Sequence, residues 1–295
     1  MVYQLDLDHC YDFVMSLTIE SGKIIKDALQ GTKNIETKKG DWDLVTQYDK
    51  RIEKILIAGL AKEFPDHQFI GEETVASTNF LPELTDAPTW IIDPIDGTTN
   101  FVHSFPHTCI SIALVVKRNI EIGIVYNPIL DQLFTARRGE GAFLNGKRIQ
   151  SSKISELRSS LVCIEASYAA IKSTRDLLLG RVEAFVSIAH GIRVLGSAAL
   201  TLCHIAMGAA ELYLSDNLYP WDVAAGVLII REAGGDVYDT SGGEFNLMKP
   251  RVLAVGCSKL TPEVAKLIRS SDDKIYRKRI INNQDNSLES GSGSN

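Results

Sequence analysis

The sequence predicts an α/β or α+β protein in which sheets lie between layers of helices. Segments with helical periodicity alternate with β-rich runs along most of the chain, and no linker divides them. The chain has 295 residues, of which 45% are hydrophobic. A chain of this size buries roughly 75% of its unfolded surface, so a large core can form between such layers.

The chain begins with two predicted helices. Apolar residues recur at helical spacing from Asp6 to about Leu29, and a polar loop follows over residues 33–43. Thr46 and Asp49 then have the spacing of a capping box, in which each side chain binds the other's backbone N–H. This pair predicts the start of a second helix, with an apolar face that ends at residue 64.

The middle of the chain is β-rich. Residues 68–71 and 89–92 are short apolar runs that end in acidic residues, as buried strands do when their carboxyl ends carry polar groups. A proline after the second run predicts that this strand stops there. Residues 109–138 are typical of an antiparallel meander, and residues 139–146 of a further hairpin.

The last third returns to mixed structure. Apolar patterns predict helices over 197–207 and 221–233, and strands over 211–214, 236–239 and 252–257. Thr261 caps a final helix that reaches about Arg269. Residues 1–270 are therefore predicted to form a single domain of two tightly fused α/β lobes. Residues 271–295 are polar, end in a Gly/Ser-rich run and are predicted to be disordered.

The composition excludes several classes of function. Thirty-one basic residues against 37 acidic ones give a net charge of −6, so we expect neither nucleic acid nor an anionic membrane as a partner. The first residues lack a signal peptide, and no apolar run approaches the roughly 20 residues that span a bilayer. Five dispersed cysteines without a CxxC pair favour a reducing compartment. These features predict a cytoplasmic protein.

The segment around residues 93–98 carries the clearest chemical signal. A predicted strand runs into Asp93, Asp96 follows, and Gly97 permits a tight turn. Both carboxylates and the carbonyl of Ile95 can then face common Mg²⁺ ions, which prefer oxygen ligands. The amides of Gly97 and Thr98, at a helix start, favour a phosphate. The alternative is a capped turn with solvated acids.

Two further acidic features also lie at predicted element ends. Glu72 and Glu73 follow the strand that ends at residue 71, and Asp222 opens a helix after Trp221. Alone, the first pair is equally typical of a solvated surface, and Asp222 of an acid that stabilises a helix N-terminus. Functional side chains are nevertheless concentrated at such positions.

Three segments occur in a fixed order: Gly71-Glu72-Glu73, then Asp93 to Phe101, then Trp221 to Gly226. Their order and separations resemble the signature of the inositol monophosphatase family of lithium-sensitive, Mg²⁺-dependent sugar phosphatases. Matches at 43–46, 190–193 and 196–199 extend the resemblance over residues 6–270. It implies the five-layered αβαβα fold of the inositol monophosphatase and fructose-1,6-bisphosphatase type, usually a homodimer, with two or three Mg²⁺ ions per subunit.

The resemblance also implies a set of metal ligands. Glu72, Asp93 and the Ile95 carbonyl would hold a first ion, while Asp93, Asp96 and Asp222 would hold a second. Two such ions can divide the work of an in-line displacement, one activating water and the other neutralising the leaving oxygen.

The resemblance assigns catalytic roles as well. Thr98 would orient the attacking water and pair with Asp49, so that Thr98, Asp49 and Glu72 form the catalytic group. Lys38 resembles a lysine near a more loosely held third ion, although a solvated loop cation is equally consistent with its sequence.

Substrate contacts follow the same resemblance, with one departure. The resemblance implies that five residues lie against the substrate, namely Asp96, Gly97, Thr98, Ala198 and Asp222. Inositol-specific members carry a glutamate seven residues before Asp222, where this chain has Ser215 followed by Asp216. Serine lacks the negative charge that strengthens hydrogen bonds from polyol hydroxyls. Asp216 is the alternative residue that could supply a carboxylate there.

These features predict an enzyme, a phosphoric monoester hydrolase that converts myo-inositol monophosphate to inositol and phosphate with metal-activated water. Its partner is then a small phosphomonoester. The alternatives within the superfamily are phosphatases of fructose 1,6-bisphosphate, of a 3′-phosphonucleotide or of another sugar phosphate, because specificity lies in peripheral loops. A catalytically silent binding protein is the alternative from another class. The retained acidic residues favour an enzyme.

Overall fold

The computed structural model describes residues 5–29, 31, 33–38, 40 and 43–291. Within them the chain forms five layers in the order helices, sheet, helices, sheet, helices. The predicted sandwich of sheets between helices is therefore confirmed, as is the αβαβα arrangement.

The first layer consists of two helices joined by a small hairpin. These elements are α1 (Leu7–Ala28), β1 (Ile35–Thr37), β2 (Leu44–Thr46) and α2 (Gln47–Glu63). Thr46 and Asp49 form the predicted capping box at the start of α2. Within the region predicted as a loop, residues 35–37 form β1, an exposed strand paired antiparallel with β2. Hydrophobic patterning does not detect such a strand because neither of its faces is buried.

A seven-stranded sheet forms the second layer. In sequence order its elements are β3 (Gln68–Gly71), α3 (Glu72–Thr78), β4 (Thr89–Asp96), α4 (Thr98–Val102), β5 (Cys109–Val116), β6 (Asn119–Asn127), β7 (Gln132–Arg137), β8 (Gly141–Leu144) and β9 (Lys147–Arg148). The strands lie side by side in that order. β3 and β4 are parallel, and the other neighbours are antiparallel. The predicted meander and hairpin are confirmed.

β4 separates two cores. Trp90 and Ile92 pack with α1 and α2, whereas Ile91 faces the third layer. The sequence predicts the end of this strand at residue 92, but the structure continues it to Asp96. Pairing with β5 shifts register between Asp93 and Asp96, and this irregularity accommodates Pro94, which has no N–H to donate.

The remaining layers surround a second sheet. Its elements are β10 (Leu161–Ile164), α5 (Lys172–Val186), β11 (Gly191–Arg193), α6 (Ala198–Ala206), β12 (Leu212–Ser215), α7 (Pro220–Glu232), β13 (Asp236–Tyr238), β14 (Val252–Val255) and α8 (Thr261–Gly291). The strand order is β11-β10-β12-β14-β13. The apolar helices α6 and α7 fill the space between the two sheets, while α5 and α8 cover the outer face.

Helix α8 extends well past its predicted end near Arg269 and occupies residues predicted as a disordered tail. Ion pairs hold the part of this extension up to Arg279 against α5, because Asp272 binds Arg181 and Arg279 binds Asp176. A polar helix held in this way has no apolar periodicity to reveal it. Residues 292–295 of the predicted tail lie outside the described residues. Among those described, no helix has both the length and the apolar composition needed to cross a membrane.

Candidate active site and metal centre

Three carboxylates from two layers meet at one point. Asp93 and Asp96 lie at the end of β4, and Asp222 lies in the first turn of α7. One oxygen of each lies within 4.8 Å of the others. The structure thus brings together residues that stand more than a hundred positions apart in sequence.

Burial and the mutual repulsion of these carboxylates raise their pKa values. Burial raises the pKa of Asp93 well above its usual value, and the charges of Glu72, Asp96 and Asp222 raise it further. Burial likewise raises the pKa of Asp96 to about 6, even though hydrogen bonds from Ser197 and Ala199 lower it. The cluster is therefore short of positive charge.

Helix α6 holds Asp96 in place. Asp96 Oδ2 accepts hydrogen bonds from Ser197 Oγ (2.5 Å) and the Ala199 amide (2.8 Å), and Oδ1 accepts one from the Ala198 amide (3.3 Å). The N-terminus of a helix stabilises a negative charge at this position. Sequence analysis gave no role to Ser197, because only the tertiary fold brings α6 to the end of β4.

A lysine pairs with the acidic residues that open α3. Lys38 Nζ lies 2.7 Å from Glu72 Oε1 and 2.6 Å from Glu73 Oε1. Burial alone would lower the pKa of Lys38, but the two carboxylates outweigh it and raise that pKa above its usual range. The side chain is only 12% exposed, so Lys38 is not the solvated loop cation that sequence analysis left open.

Glu53 of α2 is a buried carboxylate that sequence analysis missed. Its Oε2 accepts from the Glu73 amide (2.7 Å), and its Oε1 accepts from the Thr74 amide (2.8 Å) and Thr74 Oγ1 (2.6 Å). Glu53 thereby fixes the first turn of α3, where Glu72 begins. Its spacing to the buried Leu56 and Leu60 of α2 was a usable signal, since a charged residue on an apolar helix face needs a specific partner.

The turn after β4 brings Thr98 to Asp49. Thr98 Oγ1 lies 3.1 Å from Asp49 Oδ1 and 3.0 Å from the carbonyl oxygen of Ile95. Burial raises the pKa of Asp49 to about 6, while hydrogen bonds from Thr46 lower it. The same carboxylate thus caps α2, as the sequence pattern predicts, and touches the Thr98 hydroxyl, as the family resemblance implies.

Gly97 is required by the shape of this turn. Its φ angle is +84°, in the left-handed region that glycine tolerates. An added Cβ would lie 3.0 Å from the carbonyl oxygens of both Gly196 and His107. Any side chain here would displace the backbone that carries Asp96 and Thr98.

A cavity of about 210 Å³ opens above these groups. Its walls include many of the predicted site residues, namely Glu72, Asp93, Ile95, Asp96, Gly97, Thr98, Ala198 and Asp222, together with Glu165, which sequence analysis did not single out. Ser215 and Asp216 instead line a neighbouring cavity of about 320 Å³, which also includes Glu165.

Asp216 is tied into an ion network. One carboxylate oxygen accepts from Arg181 Nη1 (2.6 Å), and the other accepts from Thr240 Oγ1 (3.0 Å) and Arg251 Nε (3.1 Å). A contact of Asp216 with substrate hydroxyls would compete with these bonds. The roles of Ser215 and Asp216 in substrate binding stay predictions.

The donor set suits a hard divalent cation. Asp93, Asp96 and Asp222 offer only oxygen atoms, which Mg²⁺ prefers over the nitrogen and sulfur ligands of zinc sites. A cation would also remove the mutual repulsion that raises the pKa of Asp93. On both counts the residues fit such an ion.

This fold and site define a class, the αβαβα proteins with a carboxylate centre between their layers. The profile of the inositol monophosphatase family matches residues 6–273. The chain belongs to the inositol monophosphatase family.

Individual proteins agree with this assignment. Inositol monophosphatase 2 of Rattus norvegicus is 43% identical over 264 residues, which cover 89% of this chain and 91% of that protein. An inositol monophosphatase structure from Thermotoga maritima has a TM-score of 0.79 at 32% identity, covering 90% of this chain and 98% of that one. An inhibitory lithium chloride complex of a staphylococcal inositol monophosphatase-1 has a TM-score of 0.78 at 25% identity, covering 90% and 96%.

Proposed function

We propose that this chain is a Mg²⁺-dependent phosphomonoesterase that hydrolyses myo-inositol monophosphate to inositol and phosphate. The observation that carries the proposal is the meeting of Asp93, Asp96 and Asp222 within 4.8 Å, beside the paired side chains of Thr98 and Asp49. The curated relative that shares 43% of its residues bears the name of this activity.

The chain supplies the ligands of the cations. Glu72, Asp93 and the carbonyl of Ile95 would hold one ion, Asp93, Asp96 and Asp222 would hold a second, and Lys38 would lie near a third. Bound Mg²⁺ supplies positive charge to the phosphate and to the leaving oxygen, and it makes water more acidic. Ser197 and the α6 amides keep Asp96 oriented toward this centre.

Thr98 and Asp49 act on the attacking water. Thr98 Oγ1 donates its proton to a hydrogen bond with Asp49 Oδ1. The lone pairs of Thr98 Oγ1 are then available to accept a hydrogen bond from water. The water oxygen would bond to phosphorus as the bond from phosphorus to the inositol oxygen breaks, and that oxygen would take a proton from solvent water to give inositol. Asp49 takes the released proton through Thr98, because its pKa of about 6 suits a base near neutral pH.

The amides of Gly97 and Thr98 and the wall formed by Ala198 hold the phosphate and the ring. Both Gly97 and Ala198 line the cavity above the carboxylates. A Cβ at Gly97 would press against the carbonyl oxygens of Gly196 and His107 at 3.0 Å, so glycine suits this wall.

Phosphate release with and without Mg²⁺ tests the proposal. We expect Mg²⁺-dependent turnover and the highest kcat/KM for inositol 1-phosphate among three substrates, the others being fructose 1,6-bisphosphate and adenosine 3′,5′-bisphosphate. A higher kcat/KM for either of those two would reassign the substrate. An absence of turnover on all three would indicate a silent protein.

We also propose that the chain forms a homodimer. Phe105 and Val194 are apolar yet about half exposed, at 51% and 54%. Their segments lie together, because Asn100 Nδ2 donates to the carbonyl oxygens of both His107 and Leu195 at 2.8 Å. Exposed apolar residues grouped in this way favour an interface with a second protein chain.

Sedimentation velocity tests the dimer. Phe105→Asp combined with Val194→Asp is expected to shift the protein from dimer to monomer, while Leu130→Asp leaves the dimer intact. Leu130 is a suitable control because it is also about half exposed, in the turn between β6 and β7. A monomeric unmutated chain, or a double variant that stays dimeric, would contradict this interface.

We also propose a cytoplasmic location, which the free thiols support. Cys10, Cys109, Cys163, Cys203 and Cys257 are all free, and the first four are buried. Buried free thiols are typical of proteins from a reducing compartment. The net charge of −6 disfavours nucleic acid and an anionic membrane as partners.

A further inference from the structure

Glu165 lies at the end of β10, in the wall of the cavity above the carboxylate cluster. We propose that Glu165 recognises the ring hydroxyls of the polyol and so supplies the carboxylate that is missing at position 215. This inference rests on the proposed function, because it names a specificity-determining residue for the same substrate.

The sheet register places Glu165 beside Ser215. Ile164 of β10 pairs with Leu214 of β12 in parallel, and the Glu165 amide donates to the Leu214 carbonyl at 3.4 Å. Glu165 follows Ile164, and Ser215 follows Leu214, so Glu165 and Ser215 come next to each other at this edge of the sheet. Neighbouring strands lie about 4.8 Å apart, so a carboxylate on Glu165 starts only one strand away from one at position 215.

Glu165 faces the catalytic cavity, whereas Ser215 does not line it. The cavity wall contains Glu165 together with Asp96, Thr98 and Ala198. Ser215 is buried in the wall of the neighbouring cavity, and its Oγ donates to the carbonyl of Asp216 at 3.2 Å. Of these two strand ends, the one at Glu165 carries the charged side chain that reaches the substrate space.

The conformation of Glu165 is fixed by the backbone. The residue is only 9% exposed, and its Oε1 accepts a hydrogen bond from the Ala166 amide at 2.8 Å. This bond orients the carboxylate in the cavity wall. A side chain held in this way loses little conformational entropy when a ligand binds.

Glu165 is separate from the metal centre. Among the described residues, the cluster able to hold an ion consists of Asp93, Asp96 and Asp222 and does not include Glu165. Its carboxylate is thus suited to a different task in the same cavity. Neighbouring hydroxyls of a polyol are hydrogen-bond donors, and bonds to an ionised acceptor are the strong ones.

Substrate discrimination tests the inference. We expect Glu165→Ala to lower the ratio of kcat/KM for inositol 1-phosphate to that for p-nitrophenyl phosphate by roughly ten- to a hundredfold, mostly through KM. Glu165→Gln keeps an acceptor oxygen but not the charge, so its ratio should fall less. Glu183→Gln, an exposed change on α5, is the control and should leave the ratio as it is.

A binding measurement accompanies the kinetics. Free myo-inositol inhibits p-nitrophenyl phosphate hydrolysis if it occupies the same site, and we expect its inhibition constant to rise about tenfold in Glu165→Gln. Thermal unfolding shows whether each variant is folded. If Glu165→Ala fails to fold, Glu165→Gln decides the question by both readouts.

The possible outcomes distinguish a failure of the proposed function from a failure of the role proposed for Glu165. If the unmutated chain shows no preference for inositol 1-phosphate over p-nitrophenyl phosphate, the proposed function fails. If it shows the preference and both Glu165 variants keep it, only the present inference is overturned. Ser215→Glu placed in the Glu165→Ala background should regain part of the lost preference, and a double variant that regains none would contradict the equivalence of the two positions.

Discussion

Replacing Glu53 with glutamine should weaken the response of the enzyme to Mg²⁺. Glu53 touches no group of the cavity centre, but its carboxylate accepts three hydrogen bonds from Glu73 and Thr74 at the start of α3. That turn carries Glu72, a predicted metal ligand. Glu53→Gln therefore tests whether the Glu53 carboxylate, which contacts no metal itself, positions the predicted metal ligand Glu72.

The expected magnitude follows from the three bonds. A glutamine can turn its oxygen to Thr74 and keep two of them, but its NH₂ group then faces the N–H of Glu73. One charge-assisted bond worth about 1.5–3 kcal/mol is lost, and a buried donor is left without an acceptor. If the loss of this bond lets Glu72 move from its position, Mg²⁺ affinity should fall about 10- to 100-fold. Such a loss is usual when a residue that orients a metal ligand is changed.

The assay is the Mg²⁺ concentration that gives half-maximal p-nitrophenyl phosphate hydrolysis, with thermal unfolding measured in parallel. Glu63→Gln is the matched control, because Glu63 lies on the same helix, is 39% exposed and pairs with His9, away from the cavity. A half-maximal concentration within twofold of the unmutated value in Glu53→Gln would refute the reasoning. A lower Tm with unchanged Mg²⁺ dependence would show that Glu53 only stabilises the fold.

Three further predictions concern the cluster and the network behind it. Asp93→Asn should lower kcat by a hundredfold or more at saturating Mg²⁺ because an amide lacks the charge of a ligand shared by two ions, and a variant that keeps more than about a tenth of kcat would exclude that role. Lithium should inhibit at roughly millimolar concentration through the site at Asp222, and equal inhibition of an active Asp222→Ala variant would place lithium elsewhere. Arg181→Ala should lower the free energy of unfolding by about 3–5 kcal/mol, because it leaves Asp216 and Asp272 without their buried partner. Despite burial, Arg181 and Arg251 hold the pKa of Asp216 below its usual value, so this stabilisation is present above about pH 4 and is lost as the pH falls through the lower folded value. Denaturation at pH 7 and pH 3 should therefore show a smaller difference between variant and unmutated chain in acid, and an equal difference at both values would contradict the pairing.

The sequence was sufficient for elements whose signals are local. The capping box at Thr46, the turn at Gly97 and the apolar helix α6 each depend on neighbours within a few residues, and each is present in the structure. The grouping of Asp93, Asp96 and Asp222 is a long-range fact, and only the family resemblance supplied it in advance. No spacing rule connects the end of a strand to a helix opened more than a hundred residues later.

The parts that could not be predicted depend on contacts between distant polar groups. Glu53 binds amides twenty residues away, and Ser197 reaches Asp96 across more than a hundred residues. Just past its predicted end, helix α8 is held to α5 by the pair of Asp272 and Arg181, which hydrophobic periodicity does not reveal. Even so, a charged residue on an apolar helix face, as at Glu53, was a readable sign that a buried partner existed.

The wide separation of the clustered carboxylates has a consequence during protein synthesis. When Asp93 and Asp96 are added to the growing chain, Asp222 is still roughly 130 residues from being made, and at about 5–20 residues per second it follows between about 6 and 26 s later. For most of that interval the nascent chain lacks the α6 amides, and for all of it the α7 carboxylate, that complete the site. A ribosome stalled before residue 198 therefore holds a chain that cannot assemble the centre, and phosphatase activity becomes a late reporter that translation has passed α7.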